Sequence, residues 1–367
     1  MYAQQSLQDT LFLMLYGGVA ILALVIGLYL WLRRSNAIAS DVTPPMALRL
    51  WTTAFFITVA LSHVWWYVLG VYWLTADRLV RDIVAVTLDH VTLVPFVMAL
   101  LLRMLQDRQR PLWPWGLAQL PTVVAATVGV NRHDEFYGFE VTACWQVVVM
   151  TIFVIYYIRA LILYGRWLHE NYADLEHKEV WQSLLFVAAL FFVYEVYFTN
   201  PGEMVKEYLA QVETLAIIVF LLWRVETLQE LDDKLPDVSQ ADKPLMSQPT
   251  TNNIQQLLKT YCEDKQLYLQ HDLTLQRLAT IIGTNRTYLS GYFAQQGFTY
   301  NTYINRLRID HFIRLYRESV NSAQVMTAVQ LAQQSGFRSY STFAIAFKQF
   351  NGQTFATWMK LQATSNS

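Results

Sequence analysis

Residues 275–293 read LQRLATIIGTNRTYLSGYF, and this stretch decides the fold of the C-terminal part of the chain. Its first eight positions repeat apolar residues at helical spacing, which predicts a short amphipathic helix. Gly283 permits the backbone turn that ends this helix, and Thr284 or Asn285 can cap the next one. Two short helices joined by a tight turn are therefore predicted here.

A second stretch repeats this pattern. Residues 329–350 read VQLAQQSGFRSYSTFAIAFKQF, with Ser335–Phe337 as the turn and Ser339 as a suitable N-cap. Residues 300–316, YNTYINRLRIDHFIRLY, form one amphipathic helix between the two units. This linking helix is expected to hold the units at a fixed separation of about one turn of DNA.

Two helix-turn-helix units in series predict a domain that reads double-stranded DNA. In such a unit the N-terminal turn of the second helix meets base edges in a major groove. The candidate DNA-binding residues are Asn285, Arg286, Thr287, Tyr288, Ser290, Arg338, Ser339, Tyr340, Ser341, Thr342 and Lys348. Arg286 and Arg338 can equally contact phosphates. Four arginines of the linking region are expected to be solvated or to face phosphates, namely Arg306, Arg308, Arg314 and Arg317.

The stretches LTLQRLATIIGTNRTYLSGYF, YINRLRID and LAQQSGFRSYSTFAIAFKQFNG together resemble the AraC family of bacterial transcription regulators. The resemblance covers residues 254–361, and its most specific part is the pattern at Gly336–Lys348. It implies a seven-helix, all-α domain that reads two successive major-groove segments. The resemblance implies two partners, promoter DNA and RNA polymerase. An activator recruits or repositions the polymerase.

The chain departs from the family pattern at two positions of the DNA-reading helices. Many members carry a base-contacting side chain, often Arg, where this chain has Gly291 and Ile345. Neither residue can make a bidentate contact with guanine. Base reading must then depend on the other candidate residues. The family's usual proline after the final glycine is also absent, since Gln353 follows Gly352.

The composition separates this C-terminal part from the rest of the chain. Apolar residues make up 54% of the 367 residues and charged residues only 15%, which is unusual for a soluble protein. Residues 250–367 hold eleven Lys and Arg against five Asp and Glu, a net charge of +6, and the remainder carries −7. A basic C-terminal part suits a polyanionic partner.

Upstream lie seven apolar segments, and a helix needs about 20 apolar residues to cross a bilayer. They are Leu11–Leu32, Leu48–Leu69, Ile83–Leu105, Trp113–Val130, Val141–Leu163, Val180–Phe198 and Tyr208–Trp223. Pro114 and Pro121 are expected to kink the fourth. The predicted fold is all-α: a seven-transmembrane helix bundle in a lipid bilayer, followed by an AraC-type double helix-turn-helix domain.

Loop charges orient this predicted bundle. Lys and Arg are more frequent in the connections after helices one, three and five than in the opposite ones, which places the N-terminus outside. The chain is thus expected to be a multi-pass protein of the bacterial cytoplasmic (inner) membrane with its C-terminal domain in the cytoplasm. The first apolar run lacks a preceding basic region and is interpreted as a retained helix rather than a signal peptide.

Three regions follow: a membrane sensor domain at 1–226, a stalk and linker at 227–249, and the DNA-binding domain at 250–367. Arg224–Leu235 is expected to continue the seventh helix with a leucine stripe. This stripe indicates either a signalling stalk, with a homodimer through a short coiled coil, or a frayed helix end. Asp237–Pro249 is expected to be a flexible tether, and proteolytic release of the DNA-binding domain there is an alternative.

Polar residues inside the apolar segments require an explanation, because they are expensive in a bilayer. A candidate ligand site facing outward comprises His63, Asp89, Trp145, Glu195 and Glu213. The competing interpretation is a set of hydrogen bonds and ion pairs between helices. A metal site with His63, Asp89 and His90 is disfavoured, because adjacent helical residues point about 100° apart.

The predicted function is that of a membrane-bound, one-component transcription regulator that senses an unknown small-molecule or membrane signal. No catalytic motif occurs, so neither enzymatic activity nor a cofactor is expected. The alternative is a membrane receptor or transporter whose C-terminal domain mainly binds a protein partner.

Overall fold

The computed structural model describes residues 7–71, 77–185, 187–188, 203–231, 251–322 and 326–365. The regular structure in these residues is helical, apart from one isolated antiparallel bridge between Tyr172 and Thr274, which confirms the all-α prediction. The chain forms two compact units. The first is drawn from Met1–Ile162 with Val180–Lys234, and the second from Leu163–Glu179 with Leu235–Ser367.

The N-terminal part contains several long, apolar helices. In the described residues they are α1 (Leu7–Leu32), α2 (Met46–Val71), α3 (Arg78–Met104), α6 (Val141–Asn171, preceded by a π-helical turn at Phe136–Glu140) and α7 (Glu203–Thr227). These five are long and apolar enough to cross a membrane. Large apolar side chains such as Ile21 and Val219 are exposed on them, as expected for faces that lipid would cover.

The fourth predicted segment is not one helix. It is divided into α4 (Trp113–Leu117) and α5 (Leu120–Arg132). Pro114 and Pro121 each occupy the first turn of one of these helices, where a missing N–H costs little. The prolines therefore begin new helices instead of kinking a single one, and the prediction of one spanning helix at Trp113–Val130 is corrected.

The sixth predicted segment, Val180–Phe198, lies mostly outside the described residues, with a short helical stretch at 183–185 inside them. Seven crossings therefore remain a prediction.

The expected helical stalk is corrected at its beginning. Helix α7 ends at Thr227, so Arg224–Leu235 does not continue as a helix through residues 228–231. Leu228 and Leu231, two leucines of the predicted apolar stripe, are buried in the first unit. They are not available there for a coiled coil with a second copy. Residues 232–250, which include the predicted tether, lie outside the described residues.

The C-terminal part of the second unit contains seven α-helices in its described residues, as the family resemblance implied. They are α8 (Thr251–Leu257, continued by a π-helical turn at Leu258–Glu263), α9 (Leu275–Ile281), α10 (Arg286–Gln295), α11 (Tyr300–Asn321), α12 (Ala328–Gln334), α13 (Tyr340–Asn351) and α14 (Phe355–Ser365). Helix α11 belongs to both halves of this domain, because its first half packs with α8–α10 and its second half with α12–α14.

Each half has its own apolar core. The buried members of the first include Leu275, Leu278, Ala279, Leu289 and Phe293. Those of the second include Leu331, Ala332, Phe337, Phe343 and Phe347. These are the positions that helical periodicity predicted, so burial of one apolar stripe explains the fold of each half. Val329, the first apolar residue of the second stretch, is 46% exposed and does not belong to the buried stripe.

Arg308 contradicts the expectation of a solvated or phosphate-facing arginine. It lies on α11 with 0% exposure. Its Nε donates to the Tyr268 carbonyl at 2.8 Å and one Nη donates to the Gln270 carbonyl at 2.7 Å. The guanidinium also lies over the Phe337 ring of the second half, 5.7 Å from its centroid. Burial lowers the pKa of this guanidinium. Arg308 therefore joins the two halves of the domain.

Candidate nucleic-acid interface

The first helix-turn-helix unit is built from capped helices. Thr274 caps α9 by accepting a hydrogen bond from the Arg277 N–H at 3.1 Å. Gly283 ends this helix with a φ of +75°, the left-handed conformation that favours glycine. Asn285 then caps α10, because its side-chain oxygen accepts from the Tyr288 N–H at 2.9 Å. Asn285, rather than Thr284, is thus the cap.

The predicted DNA-reading residues of α10 surround its exposed N-terminal end. Thr287 and Tyr288 are exposed, whereas Arg286 and Ser290 are half-buried. Leu289 of the same helix is fully buried in the first core, which fixes the rotation of the helix about its axis. A contact of these side chains with DNA remains a prediction.

The turn of the second unit accepts only glycine at its centre. Gly336 has a φ of +88°, and a Cβ there would lie 2.8 Å from Leu269 Cα. A side chain would therefore meet both backbone strain and a collision with the chain beside the first half. Ser339 caps α13 by accepting from the Thr342 N–H at 3.3 Å. The preceding helix α12 begins with a capping box formed by Thr327 and Gln330.

The predicted residues of α13 also surround its N-terminal end. Tyr340, Ser341 and Lys348 are exposed, whereas Arg338, Ser339 and Thr342 are half-buried. The Ser339 hydroxyl lies 2.8 Å from that of Ser341 and 3.0 Å from that of Thr342. A compact group of hydroxyls therefore stands at the start of the helix, where hydrogen-bonding groups can meet base edges or phosphates.

The two departures from the family pattern lie on the surface. A Cβ added at Gly291 would meet no atom within 4 Å, and Ile345 is 71% exposed. Both positions therefore face outward on the DNA-reading helices. Ile345 belongs to neither apolar core, so packing of the domain does not require an apolar side chain at this position.

The candidate ligand residues of the N-terminal part do not all come together. Asp89 on α3 accepts hydrogen bonds from the Ser62 hydroxyl at 2.6 Å and the Trp66 indole at 2.7 Å, both on α2. His63 Nε2 lies 3.0 Å from Gln211 Oε1 on α7. The Tyr16 hydroxyl of α1 donates to the His63 carbonyl at 2.7 Å. These bonds connect the helices α1, α2, α3 and α7. His63 and Asp89 thus take part in hydrogen bonds between helices, as in the interpretation that competes with a ligand site.

The other candidate ligand residues are placed differently. The Trp145 indole donates to the Ala118 carbonyl at 2.8 Å and so stabilises the junction between α4 and α5. Glu213 Oε1 is buried with no hydrogen-bond partner among the described residues. Glu195 lies outside them. No group of three potential metal ligands is found in the part of the chain that the structure describes.

Fold and site together define a double helix-turn-helix domain, and the comparisons agree. A family model described as "Helix-turn-helix domain" matches residues 278–361. An uncharacterized HTH-type transcriptional regulator of Staphylococcus aureus is 25% identical over 131 residues, which are 35% of this chain and 16% of that protein. The aligned region thus spans a small part of that relative's length. No solved structure matches the chain at a significant level. The C-terminal part is an AraC-type helix-turn-helix domain, and apolar helices precede it.

Proposed function

We propose that this chain is a membrane-bound transcription regulator that binds promoter DNA sequence-specifically and responds to a signal at the membrane. The observation that carries the proposal is the pair of capped helices α10 and α13. Both present polar N-terminal ends, in a domain of the AraC type that is covalently joined to apolar helices. Such ends are the parts of helix-turn-helix units that enter a major groove.

The two helices are proposed to divide the contacts between bases and backbone. Tyr288 and Tyr340 are exposed at the two helix starts and can reach base edges, and the hydroxyls of Ser341 and Thr342 supply further hydrogen bonds. The Lys348 ammonium, farther along α13, is proposed to contact a phosphate. Bound to an operator in this way, the domain would recruit or reposition RNA polymerase.

The membrane part is proposed to cross the bacterial cytoplasmic membrane with the C-terminal domain in the cytoplasm. The excess of Lys and Arg in the connections expected on that side supports this orientation. The DNA-binding domain would then reside on the side where DNA is present.

Chromatin immunoprecipitation of the full-length, tagged protein in its host tests the proposed function. A few sharp peaks at promoters are expected, and the adjacent genes would indicate the kind of signal. An empty profile across growth conditions, with intact protein in the membrane, would contradict the proposal. It would favour the second candidate function, a receptor or transporter whose C-terminal domain binds a protein, for which the exposed Ile345 is the supporting observation.

Replacing Arg338 by alanine is expected to weaken binding to a promoter fragment by about 1–3 kcal/mol, because one cationic contact at the second unit is lost. The measurement is fluorescence anisotropy with the full-length protein in detergent. Lys259→Ala is the control, since it removes one exposed positive charge from the π-helical turn after α8, outside both helix-turn-helix units. Equal affinities of the two variants would show that the second unit does not dock on DNA as proposed.

Replacing Asp89 by asparagine tests whether the membrane polar cluster takes part in sensing. The variant is expected to reduce the response of a promoter reporter to growth conditions, because the hydrogen bonds from Ser62 and Trp66 lose their charged acceptor. Binding of the purified protein to DNA should not change. Asp82→Asn makes the same change on α3 at a more exposed side chain that pairs with Arg78. Loss of Asp89→Asn from the membrane would instead indicate a purely structural cluster.

A further inference from the structure

Residues Leu163–Glu179, here called the 163–179 segment, belong to the same compact unit as the DNA-binding domain. The segment comprises the C-terminal end of α6 and the turns that follow it. It is anchored by Asn301 of α11, whose side-chain N–H groups donate to the carbonyls of Tyr172 at 3.1 Å and Ala173 at 2.8 Å. Ala173 is 1% exposed and belongs to the first apolar core of the domain.

A backbone pairing adds to this anchoring, since Tyr172 forms the antiparallel bridge with Thr274, the residue that caps α9. The 163–179 segment therefore packs on the first half of the domain through this bridge, through the hydrogen bonds from Asn301 to its backbone and through a buried side chain. Such contacts fix the position of the segment more firmly than exposed side-chain contacts would.

From this position the segment engages one predicted DNA-contacting residue of each unit. The Thr342 hydroxyl, at the start of α13, donates to Glu176 Oε2 at 3.0 Å. The Arg286 guanidinium, at the start of α10, lies over the Trp167 ring at 5.8 Å. A hydroxyl bound to a carboxylate and a guanidinium placed on an indole are both withdrawn from phosphates and base edges. The segment and DNA therefore require the same side chains.

The 163–179 segment is acidic, as DNA is, and this favours its binding to the basic DNA-binding domain. It contains four carboxylates and two cations, namely Glu170, Asp174, Glu176, Glu179, Arg166 and Lys178. A basic domain attracts an acidic segment as it attracts a nucleic acid, although the segment carries far fewer negative charges than DNA. The Glu176 carboxylate accepts a hydrogen bond at the N-terminal end of α13. A negative charge is favoured at this position by the helix dipole.

A cation of the segment is buried when the segment is docked. Lys178 is 5% exposed, and this burial lowers the pKa of its ammonium. The carboxylates of Asp174, Glu176 and Asp272 raise this pKa, whereas the Arg338 guanidinium lowers it. The buried ammonium is therefore attracted by three carboxylates and opposed by one cation.

We propose that the 163–179 segment is an autoinhibitory element that covers the DNA-contacting ends of α10 and α13 until a signal displaces it. The inference rests on the proposed function, because it concerns the regulation of the same DNA-binding surface. Since the segment continues helix α6, which is apolar enough to cross a membrane, a displacement of α6 would be transmitted to it directly through the chain. The inhibited and released states would then be the two states of the regulator.

Reversing the charge of Glu176 tests the inhibition in the full-length protein in detergent, with a pool of random-sequence duplex DNA as the probe. Glu176→Lys is expected to bind the pool about fivefold to tenfold more tightly than the unaltered protein, because Thr342 loses its acceptor and a positive charge is placed at the N-terminal end of α13. Glu170→Lys is the matched control, since it makes the same reversal at an exposed residue of the same segment. An equal gain in both variants would overturn the inference, because added charge alone would explain it.

A reversible crosslink provides the second arm. Antiparallel partners have Cα atoms about 4.5–5.5 Å apart, which is within disulfide range, so Tyr172→Cys with Thr274→Cys should lock the segment in place. The oxidised protein is expected to lose most of its DNA binding and to regain it on reduction. The reduced form of the same protein is its own control.

The outcomes separate the inference from the proposed function. Equal DNA binding by the oxidised and reduced forms would overturn the inhibition and leave the proposed function intact. Absence of binding to the pool by the reduced protein, by Glu176→Lys and by the unaltered protein would overturn the proposed function, and the inhibition with it.

Discussion

Replacing Arg308 by methionine is expected to lower the free energy of unfolding of the C-terminal domain by about 3 kcal/mol, because two hydrogen bonds from a buried guanidinium are lost. These bonds run to the carbonyls of Tyr268, which is buried, and of Gln270, which also accepts from the Leu273 N–H at 3.4 Å. Methionine retains much of the packing volume, so the loss reports mainly on hydrogen bonds. The measurement is pulse proteolysis of the full-length protein in detergent across a urea gradient, following the C-terminal fragment.

Arg306→Met is the matched control for this prediction. It makes the same chemical change on the same helix at an exposed side chain, and its effect on stability should stay within about 0.5 kcal/mol. Arg308→Lys should lose an intermediate amount, because an ammonium keeps the charge but cannot reach both carbonyls as a planar guanidinium does. Equal stability of the methionine variants, together with weaker DNA binding by Arg308→Met alone, would restore the interpretation of Arg308 as a phosphate contact.

The burial of Arg308 illustrates where reasoning from sequence was wrong and what signal was available. Ile304, Arg308 and Phe312 are spaced four residues apart, so they lie on one face of α11, and all three are fully buried. A charged residue placed four residues from a core residue on either side indicates a buried cation. It was missed because arginines on an amphipathic helix near DNA are usually solvated or bound to phosphate.

The helix-turn-helix units themselves were predictable, because the forces that specify them are local. The apolar stripes, the turn glycines Gly283 and Gly336, and the caps Asn285 and Ser339 all act within a few residues of one another. The structure confirms these elements and their buried faces. Periodicity carries this information because each short helix has only one apolar face to bury.

The contacts that join distant parts of the chain were not predictable in this way. Nothing in the residues around Glu176 indicates that it accepts a hydrogen bond from Thr342, which lies 166 positions further along the chain. The hydrogen bonds of Asp89 with Ser62 and Trp66 have the same character, since they depend on how α2 and α3 pack. A pattern of polar residues indicated that these side chains need partners, but it did not identify them.

The end of helix α7 shows the same limit. Its leucines suggested that the helix continues with an apolar stripe, yet the helix ends at Thr227 and Leu228 is buried beside an ionic contact that no periodicity could indicate. Arg49 Nη2 of α2 lies 2.9 Å from Glu226 Oε1, and both side chains are 1% exposed. Arg49 also donates to Asn36 Oδ1 at 2.8 Å, and the Ala37 N–H donates to the second oxygen of Glu226. The loop between α1 and α2 is thereby fastened to the end of α7.

Replacing Glu226 by glutamine is expected to lower the stability of the first unit by about 3–5 kcal/mol, because it leaves the charge of Arg49 buried without a counterion. The measurement is the midpoint of thermal loss of the monodisperse peak of the full-length protein in detergent. Glu230→Gln is the control, since it makes the same substitution four residues later at a half-buried side chain. Midpoints that fall equally in both variants would contradict the prediction.

A double variant distinguishes the cost of a lone charge from the value of the pair. Arg49→Met combined with Glu226→Met removes both charges, so it should recover most of the stability that Glu226→Gln loses, since apolar replacements of a buried pair are often neutral. The Ala37 N–H and Asn36 would still lose their partners, which predicts that the loop, rather than the helices, becomes more open to proteolysis. If the double variant is as unstable as Glu226→Gln, the unpaired hydrogen-bonding groups of this loop, and not the unpaired charge of Arg49, set the stability of the junction.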